Sequence, residues 1–497
     1  MNYTGFILSF FTVIMYAFLL RNYVKDNHRL SLTLILLSGF LLRLFACTDA
    51  FPHEWDERYH FLVAKNLSEN FLHPKLYPAI LLENNYKNWC ANYTWLHKPP
   101  LTLWAIALSF KWFGISEFTG RLPSLFFSTV CIYLTYRIAF FLYKDKKIAL
   151  LAAFFHSING LVIEMACGRA ASEHIDTTFF FILELSVFLS LLYFEKKKIY
   201  LVVLIGILTG LAVLTKWYVG LFILPLFWII NVDKINFWRV SFFALFALSI
   251  SFCVFYPWQH YILANFPNEA LWEKEYNFRH IFEVIEGHGE PWWYHIDKAR
   301  IFWNELIYVV VLWFFYQWSK TPTQRHFLIL FFWIAVPYTI FSITVTKMPG
   351  YILFTAPAFF MMLSAFVFFC LKQVKNVYFF NFLVIIILFL AVRFGFERIK
   401  PFKDYTYLKT QKEQILNYKS IFSQKKAVIF NTKSNIETMF YTPFLAYEKI
   451  PSQADIDLAK SKNYQIGIVF SENLPEYILK DKEIKILKYW KLRRSLE

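Results

Sequence analysis

Charge is scarce in this chain: only 17% of its 497 residues are Asp, Glu, Lys or Arg. A water-soluble protein of this length needs a hydrated, charged surface, so this scarcity beside 58% hydrophobic and 21% aromatic residues excludes a single soluble globule. Cysteine is sparse as well. The six cysteines have no metal-type spacing: Cys131, Cys253 and Cys370 lie inside apolar runs, and Cys47, Cys90 and Cys167 fall near run ends, leaving a Cys90 to Cys167 disulfide open. No internal repeat or low-complexity segment stands out. The first apolar run, Gly5 to Leu20, has neither a basic residue before it nor a small-residue cleavage site after it, so it is expected to stay as an anchor.

What the chain has is long apolar runs, recurring from Gly5 to Arg393 and amounting to roughly twelve crossings of about 20 residues each. The net charge of +16 raises the question of nucleic acid, but the Lys and Arg residues concentrate in short loops between apolar runs, as positive-inside bias requires. Nucleic acid is therefore rejected as a partner, and membrane lipids are expected.

The basic connectors Arg21 to Arg29, Tyr143 to Lys147, Glu195 to Lys198, Asn231 to Arg239, Ser319 to His326 and Lys372 to Asn376 are assigned to the cytoplasmic side. The opposite set then faces outward: Thr48 to Arg121, Gly168 to Asp176, Lys216 to Trp217, Pro257 to Ala299, Lys347 to Tyr351, and everything after Arg393. This parity holds only if Leu101 to Phe118 does not cross. That stretch is short, contains Lys111 and is interrupted at Gly114, so it is read as an interfacial or re-entrant helix. From about Arg398 the chain turns Lys-rich, with strand-like AVIF (427 to 430) and IGIVF (466 to 470). Between them a capping-box pattern at Ser452 and Asp455 opens a helix through about Lys462. The expected division is a membrane domain over 1–397, with outer loops 48–121 and 257–299, and a small soluble α/β domain over 398–497 on the outer face.

On the assigned outer side the unusual polar residues gather: Asp56, Glu57 and Arg58; His97 and Lys98; Arg169, Glu173, His174 and Asp176; Lys216; Arg279, His280 and His288; Lys347 and Tyr351. Burying charge at membrane depth costs a few kcal/mol per residue, so both signs at one interface point to chemistry. Each residue also has a plainer reading. Trp55, Trp95, Trp217, Trp292 and Trp293 read first as interfacial belt residues, Arg121 and Arg169 as partners of nearby carboxylates, and His288 and His295 as ordinary loop histidines. A polyprenyl-phosphate sugar would need its tail held between helices and cations beside a phosphate that gains negative charge as the glycosidic bond breaks. A carboxylate would align or deprotonate the acceptor. Asp56 with Lys98 and Arg279 supplies both parts.

The strings DERYHFLVAKNL and HKPPLTLWAIALSFKWFGISEFTGRLPS, followed by RAASEHID, LTK at 214–216, YPW at 256–258, PWWYH at 291–295 and KMPGY at 347–351, carry a resemblance. As an ordered set they resemble the bacterial polyprenyl-phosphate-sugar glycosyltransferases that include the lipid A aminoarabinose transferase and, more distantly, the protein O-mannosyltransferases. The resemblance implies the GT-C fold, here an α-helical polytopic membrane protein of about twelve transmembrane helices with a small C-terminal soluble α/β domain. It implies Asp56 as the acidic residue of the first outer loop and Asp176 as a second; Glu57, next to Asp56, is placed with them in the catalytic set or else is the structural partner of Arg58. Lys98, Arg279 and Tyr351 become donor-phosphate contacts, with Lys347 close by and Arg58 and Arg169 supporting. Where aminoarabinose transferases have Glu before the KPP motif, this chain has His97. His97 is then the metal candidate, with Tyr276 or His280 in place of the loop histidine that pairs with that Glu; a divalent metal is the one cofactor left open.

The function expected is an inner-membrane glycosyltransferase of a bacterial cell envelope, moving a sugar from a polyprenyl-phosphate donor to a lipid A, surface-glycan or protein acceptor on the outer face. His97 favours a mannosyl- or hexosyl-transferase acting on protein or glycan over aminoarabinose transfer. The alternative of another class is a polyprenyl-lipid transporter or a non-catalytic lipid-binding scaffold. Transporters carry repeats and paired broken helices near mid-membrane.

Overall fold

A computed structural model describes residues 3–232, 235–400, 405–422 and 426–487. Apolar sequence in a hydrocarbon environment must satisfy its backbone internally, and the long runs are accordingly helices. Among the described residues, eight helices are long and apolar enough to cross a membrane, or ten if two bent helix pairs each count as one span. That is a multi-pass bundle, with eight to ten spans among the described residues where counting runs gave roughly twelve. Part of the difference lies in how apolar sequence is spent. Lys146–Ile158 with Gly160–Ala166 bends by 54°, and Tyr294–Phe302 with Ile307–Lys320 by 102°.

The run Leu101 to Phe118 becomes a 14-residue helix, Pro100–Phe113, closed by Gly114. At 1.5 Å per residue it reaches about 21 Å, short of the hydrocarbon thickness of about 30 Å. The neighbouring Phe237–Asn265 helix runs through Pro257, so the second loop begins near Phe266 rather than at Pro257. A helix-interior proline is tolerated in a bundle where neighbours satisfy the freed carbonyl.

Four of the six basic connectors meet, through Tyr143 to Lys147, and a fifth is approached from the helix that precedes it. Lys147 pairs with Asp26 at 2.8 Å, Lys144 with Glu195 at 3.4 Å, the Tyr143 and His326 rings stand 4.6 Å apart, and Arg325 donates to the Ile229 carbonyl at 2.8 Å. Asp233 and Lys234, inside the connector Asn231 to Arg239, lie outside the described residues. The polar segments gather elsewhere, around the helix Asp56–Glu69.

The C-terminal unit has the helix Thr406–Ile421 and four parallel strands, β1 (Ala427–Phe430), β2 (Leu445–Ala446), β3 (Gln465–Val469) and β4 (Ile484–Leu487), in the order β2-β1-β3-β4. The Ser452 and Asp455 capping box opens Gln453–Ser461 as the sequence suggests. Of the segment 398–497, residues 401–404, 423–425 and 488–497 lie outside the described residues. The unit does not close its core alone. Phe61, Trp95 and Phe110 from the first loop share one apolar cluster with Ile415, Phe430 and Phe440.

Candidate active site

The first loop turns sharply at Trp55, whose φ of 73° lies in the left-handed region, and the chain then enters the helix Asp56–Glu69. This placement sets Asp56 at the helix N-terminus, where free N–H groups and the helix dipole favour a carboxylate. Asp56 Oδ2 accepts the Ser172 backbone N–H at 2.6 Å, which ties the first loop to the segment RAASEHID. Burial pushes the Asp56 carboxyl up, but the Lys98 and His60 charges and the Ser172 bonds outweigh it and hold it below the ordinary value of 3.8.

Glu57, the next residue, points to another face because consecutive helix residues are about 100° apart. It is fully buried and engaged on all sides: Arg121 donates Nε to Oε1 at 2.7 Å and Nη2 to Oε2 at 2.8 Å, the His53 backbone N–H donates at 2.6 Å, and His174 Nε2 lies 3.1 Å away. The Arg121 guanidinium also caps the carbonyls of Cys47, Asp49 and Phe51. Glu57 therefore holds the loop in shape. Both Glu57 oxygens are engaged within this knot, unlike those of Asp176. Arg58 is not its partner: Arg58 turns to the C-terminal unit and bonds Glu437 at 3.2 Å. Gly168 packs against this knot with φ +80°, and a β-carbon there would overlap Glu57 Oε1. Arg169 pairs with Asp49 at 2.8 Å and with the Ile399 carbonyl, so it fastens the loop to the last long helix.

Lys98 is the electrostatic hub. It makes no hydrogen bond or ion pair among the described residues. Its charge nevertheless acts on Asp56, His60, Asp176 and Glu273. Asp176, 1% exposed, ion-pairs through Oδ1 with Lys216, whose ammonium also sits 5.3 Å from the Tyr351 ring centre. The other Asp176 oxygen has no partner among the described residues and abuts Gly350 of the KMPGY segment. One turn after Asp56 on the same helix, His60 Nδ1 lies 2.8 Å from Glu173 Oε1. Asp56, Lys98, Asp176, Lys216 and Tyr351 thus converge.

His97 stacks on Trp89 at 4.3 Å and meets Glu273 Oε2 at 3.2 Å. Its hydrogen-bond partner is Glu273, and the Tyr276 ring stands 5.7 Å from the imidazole. Tyr276 instead donates to Glu286 at 2.8 Å, which also accepts the Trp89 indole N–H at 2.6 Å, so the two large loops are latched together. Burial pushes the Glu273 carboxyl up to about 8 and holds the His97 imidazole well below the ordinary histidine range. Glu273 Oε1 is buried without a partner among the described residues, but His97 and Glu273 are two ligands, and no group of three His, Cys, Asp or Glu able to hold a metal occurs among the described residues. The metal expectation at His97 gains no ligand set from this arrangement.

Two expected phosphate contacts stand differently from the sequence reading. Arg279 is exposed and paired with Glu283 one turn on at 2.7 Å. Lys347 is buried with its ammonium on the carbonyls of Glu290 and Thr344, pinning the KMPGY segment to the second loop. His295 is buried with neither ring nitrogen partnered among the described residues. The Cys90 to Cys167 disulfide does not form. The neighbour of Cys167 is Cys47, with the sulfurs 3.5 Å apart, and all six cysteines are free. Sequence reasoning misses Glu273 and Glu286. Their signal is an acidic, aromatic helix, WEKEY, in a loop opposite a buried histidine.

Residues 97–261 match the family described as dolichyl-phosphate-mannose-protein mannosyltransferase. An uncharacterized protein of Aquifex aeolicus is 28% identical over 310 residues, covering 61% of this chain and 60% of that protein. An undecaprenyl phosphate-alpha-4-amino-4-deoxy-L-arabinose arabinosyl transferase of Pseudomonas fluorescens is 23% identical over 287 residues, 54% of this chain and 48% of that protein. The chain thus spans about half to three-fifths of the length of these relatives. Among solved structures, ArnT from Cupriavidus metallidurans bound to undecaprenyl phosphate superposes with a TM-score of 0.64 at 12% identity, covering 87% of this chain and 88% of that one. The oligosaccharyltransferase AglB from Archaeoglobus fulgidus, in complex with an inhibitory peptide and a dolichol-phosphate, gives 0.56 at 12% identity, covering 83% and 64%. These likenesses show the fold, which is GT-C.

Proposed function

We propose that this membrane protein is a glycosyltransferase that moves a sugar from a polyprenyl-phosphate donor to an acceptor on the outer face of a bacterial inner membrane. The observation that carries the reading is Lys98: an ammonium without a partner among the described residues, beside two carboxylates, in a chain whose fold is shared with proteins solved with undecaprenyl phosphate and dolichol-phosphate. An unpaired cation in such a place is set to receive an anion.

In this reading the acceptor oxygen attacks the anomeric carbon, the bond from that carbon to the phosphate oxygen breaks, and polyprenyl phosphate leaves. Lys98 takes the charge that develops on the phosphate. Asp56, held ionised, aligns the acceptor and receives its proton. Asp176 fixes Lys216 and Tyr351 beside the donor, and Lys347 acts by shaping its loop rather than by touching phosphate. Arg279 is left out of the phosphate site in favour of Lys98. The acceptor is lipid A, a surface glycan or a protein. Residues up to 397 form the membrane domain, and the C-terminal unit packs on its first loop at the outer face.

The test is turnover. Purified protein given a polyprenyl-phosphate sugar and an envelope extract should release polyprenyl phosphate and label an acceptor. Donor binding with no release under any acceptor extract would support the lipid transporter or scaffold instead.

A further inference from the structure

We propose that the cleft between the far end of the helix Asp56–Glu69 and the C-terminal unit binds a phosphate-bearing ligand the size of a sugar phosphate or a phospholipid headgroup. The cleft is a cavity of about 570 Å³ whose walls include Lys65, Lys412, Lys419, Glu117, Leu416 and Tyr441. Lys65 lies nine residues along the helix from Asp56, about 14 Å by helical rise, so this is a place separate from Lys98.

The charges in the cleft do not balance. Lys65 spends its three N–H bonds on the carbonyls of Met439, Phe440 and Thr442, at 2.7, 2.9 and 3.2 Å, and has no carboxylate partner among the described residues. Those bonds close the end of the helix Asn435–Tyr441 and hold the C-terminal unit against the first loop. Lys419 has no hydrogen bond or ion pair among the described residues. Glu117 is already occupied by Lys412 at 2.6 Å and by the Tyr441 hydroxyl at 2.5 Å. Among the described residues lining the cleft, only the exposed Glu69 opposes the remaining positive charge. Burial, with a smaller push from the Lys419 charge, lowers the Lys65 ammonium to about 8 against the pull of Glu69.

An anion in the cleft would relieve that repulsion. Lysine ammoniums act as point charges suited to phosphate, whereas planar bidentate recognition of a carboxylate calls for arginine, and no arginine is among the described residues lining the cleft. The volume falls in the range of small-molecule sites and exceeds a bare phosphate, leaving room for a sugar or glycerol against Tyr441 and Leu416. One wall comes from the first loop and the other from the C-terminal unit, so a bound ligand bridges the two. This inference does not depend on glycosyl transfer.

The experiment uses the full chain. Glucose 1-phosphate is titrated calorimetrically into protein in detergent, and protein in nanodiscs containing phosphatidylglycerol is released for mass spectrometry of retained lipid. Lys419→Glu and Leu416→Trp, both at exposed positions, are compared with Lys98→Ala. Binding of the soluble probe weakened by about tenfold or more in Lys419→Glu and Leu416→Trp, and kept in Lys98→Ala, supports the site with a sugar phosphate as ligand. Phosphatidylglycerol retained by the parent protein and lost in the same two variants supports it with a headgroup as ligand. Neither probe depending on Lys419, or soluble binding abolished by Lys98→Ala alone, overturns it. Failure of turnover in the glycosyl-transfer assay leaves these readouts unaffected.

Discussion

Asp176 and Gly350 are fitted to one another: a β-carbon on Gly350 would overlap Asp176 Oδ2. Because Asp176 is buried and its other oxygen is committed to Lys216, the carboxylate has no room to retreat. Gly350→Ala is expected to dislodge Asp176 and Lys216 together and cut transfer by about tenfold or more, the scale of a small misplacement in an aligned site. Steady-state transfer by a variant that keeps its parent's gel-filtration profile checks this; unchanged activity would mean that Asp176 is not held for chemistry.

Asp56→Asn keeps size and removes charge. Turnover should fall by about 10² while donor binding persists, the usual scale for a positioned acid or base. Against the upward push of burial, Lys98, His60 and the Ser172 N–H hold the Asp56 pKa below 3.8, so the active carboxylate is present above that value and is lost as pH falls through its lowered pKa. The acid limb of kcat should therefore lie below the ordinary carboxylate range. A limb near neutral pH would assign it to another group. Transfer by Asp56→Asn within a few-fold of the parent would shift the acid role to Asp176.

Lys98→Ala should weaken donor use by about 2 to 5 kcal/mol if the ammonium meets the phosphate in a desolvated contact. Arg279→Ala, by contrast, removes an exposed pair with Glu283 and should change kcat/KM little. Equal losses in both variants would restore Arg279 to the phosphate site.

Glu57→Gln and Arg121→Ala each break a fully buried ion pair. The expected cost is about 3 to 5 kcal/mol of stability, since the surviving charge is left uncompensated. Thermal unfolding in detergent should show a clear drop in both variants, without the selective loss of turnover expected for Asp56→Asn. A Glu57→Gln variant of normal stability and no activity would place Glu57 in the catalytic set.

The basic connectors that meet at Lys147 and Asp26 should face the cytoplasm. A membrane-impermeant thiol reagent applied to intact cells, in a background lacking the native exposed cysteines, should leave an engineered Lys146→Cys unmodified and label Lys419→Cys. The reverse pattern would invert the protein.

Membrane embedding, helical class and the α/β character of the C-terminal segment were legible in the sequence because they follow from local properties: run length, the position of basic loops, and strand and capping patterns near Ala427 and Ser452. The motif order also singled out Asp56, Lys98, Asp176 and Tyr351. Pairing was not legible. Glu57 and Asp56 are adjacent in sequence, yet the helix sends one into a buried knot with Arg121, 64 residues away, and leaves the other beside Lys98. His97 found Glu273 across 176 residues, and Arg58 found Glu437 across 379. Local pattern determines which segments bury and which way they alternate; which buried charge meets which depends on how distant helices pack, and only the tertiary structure decides that.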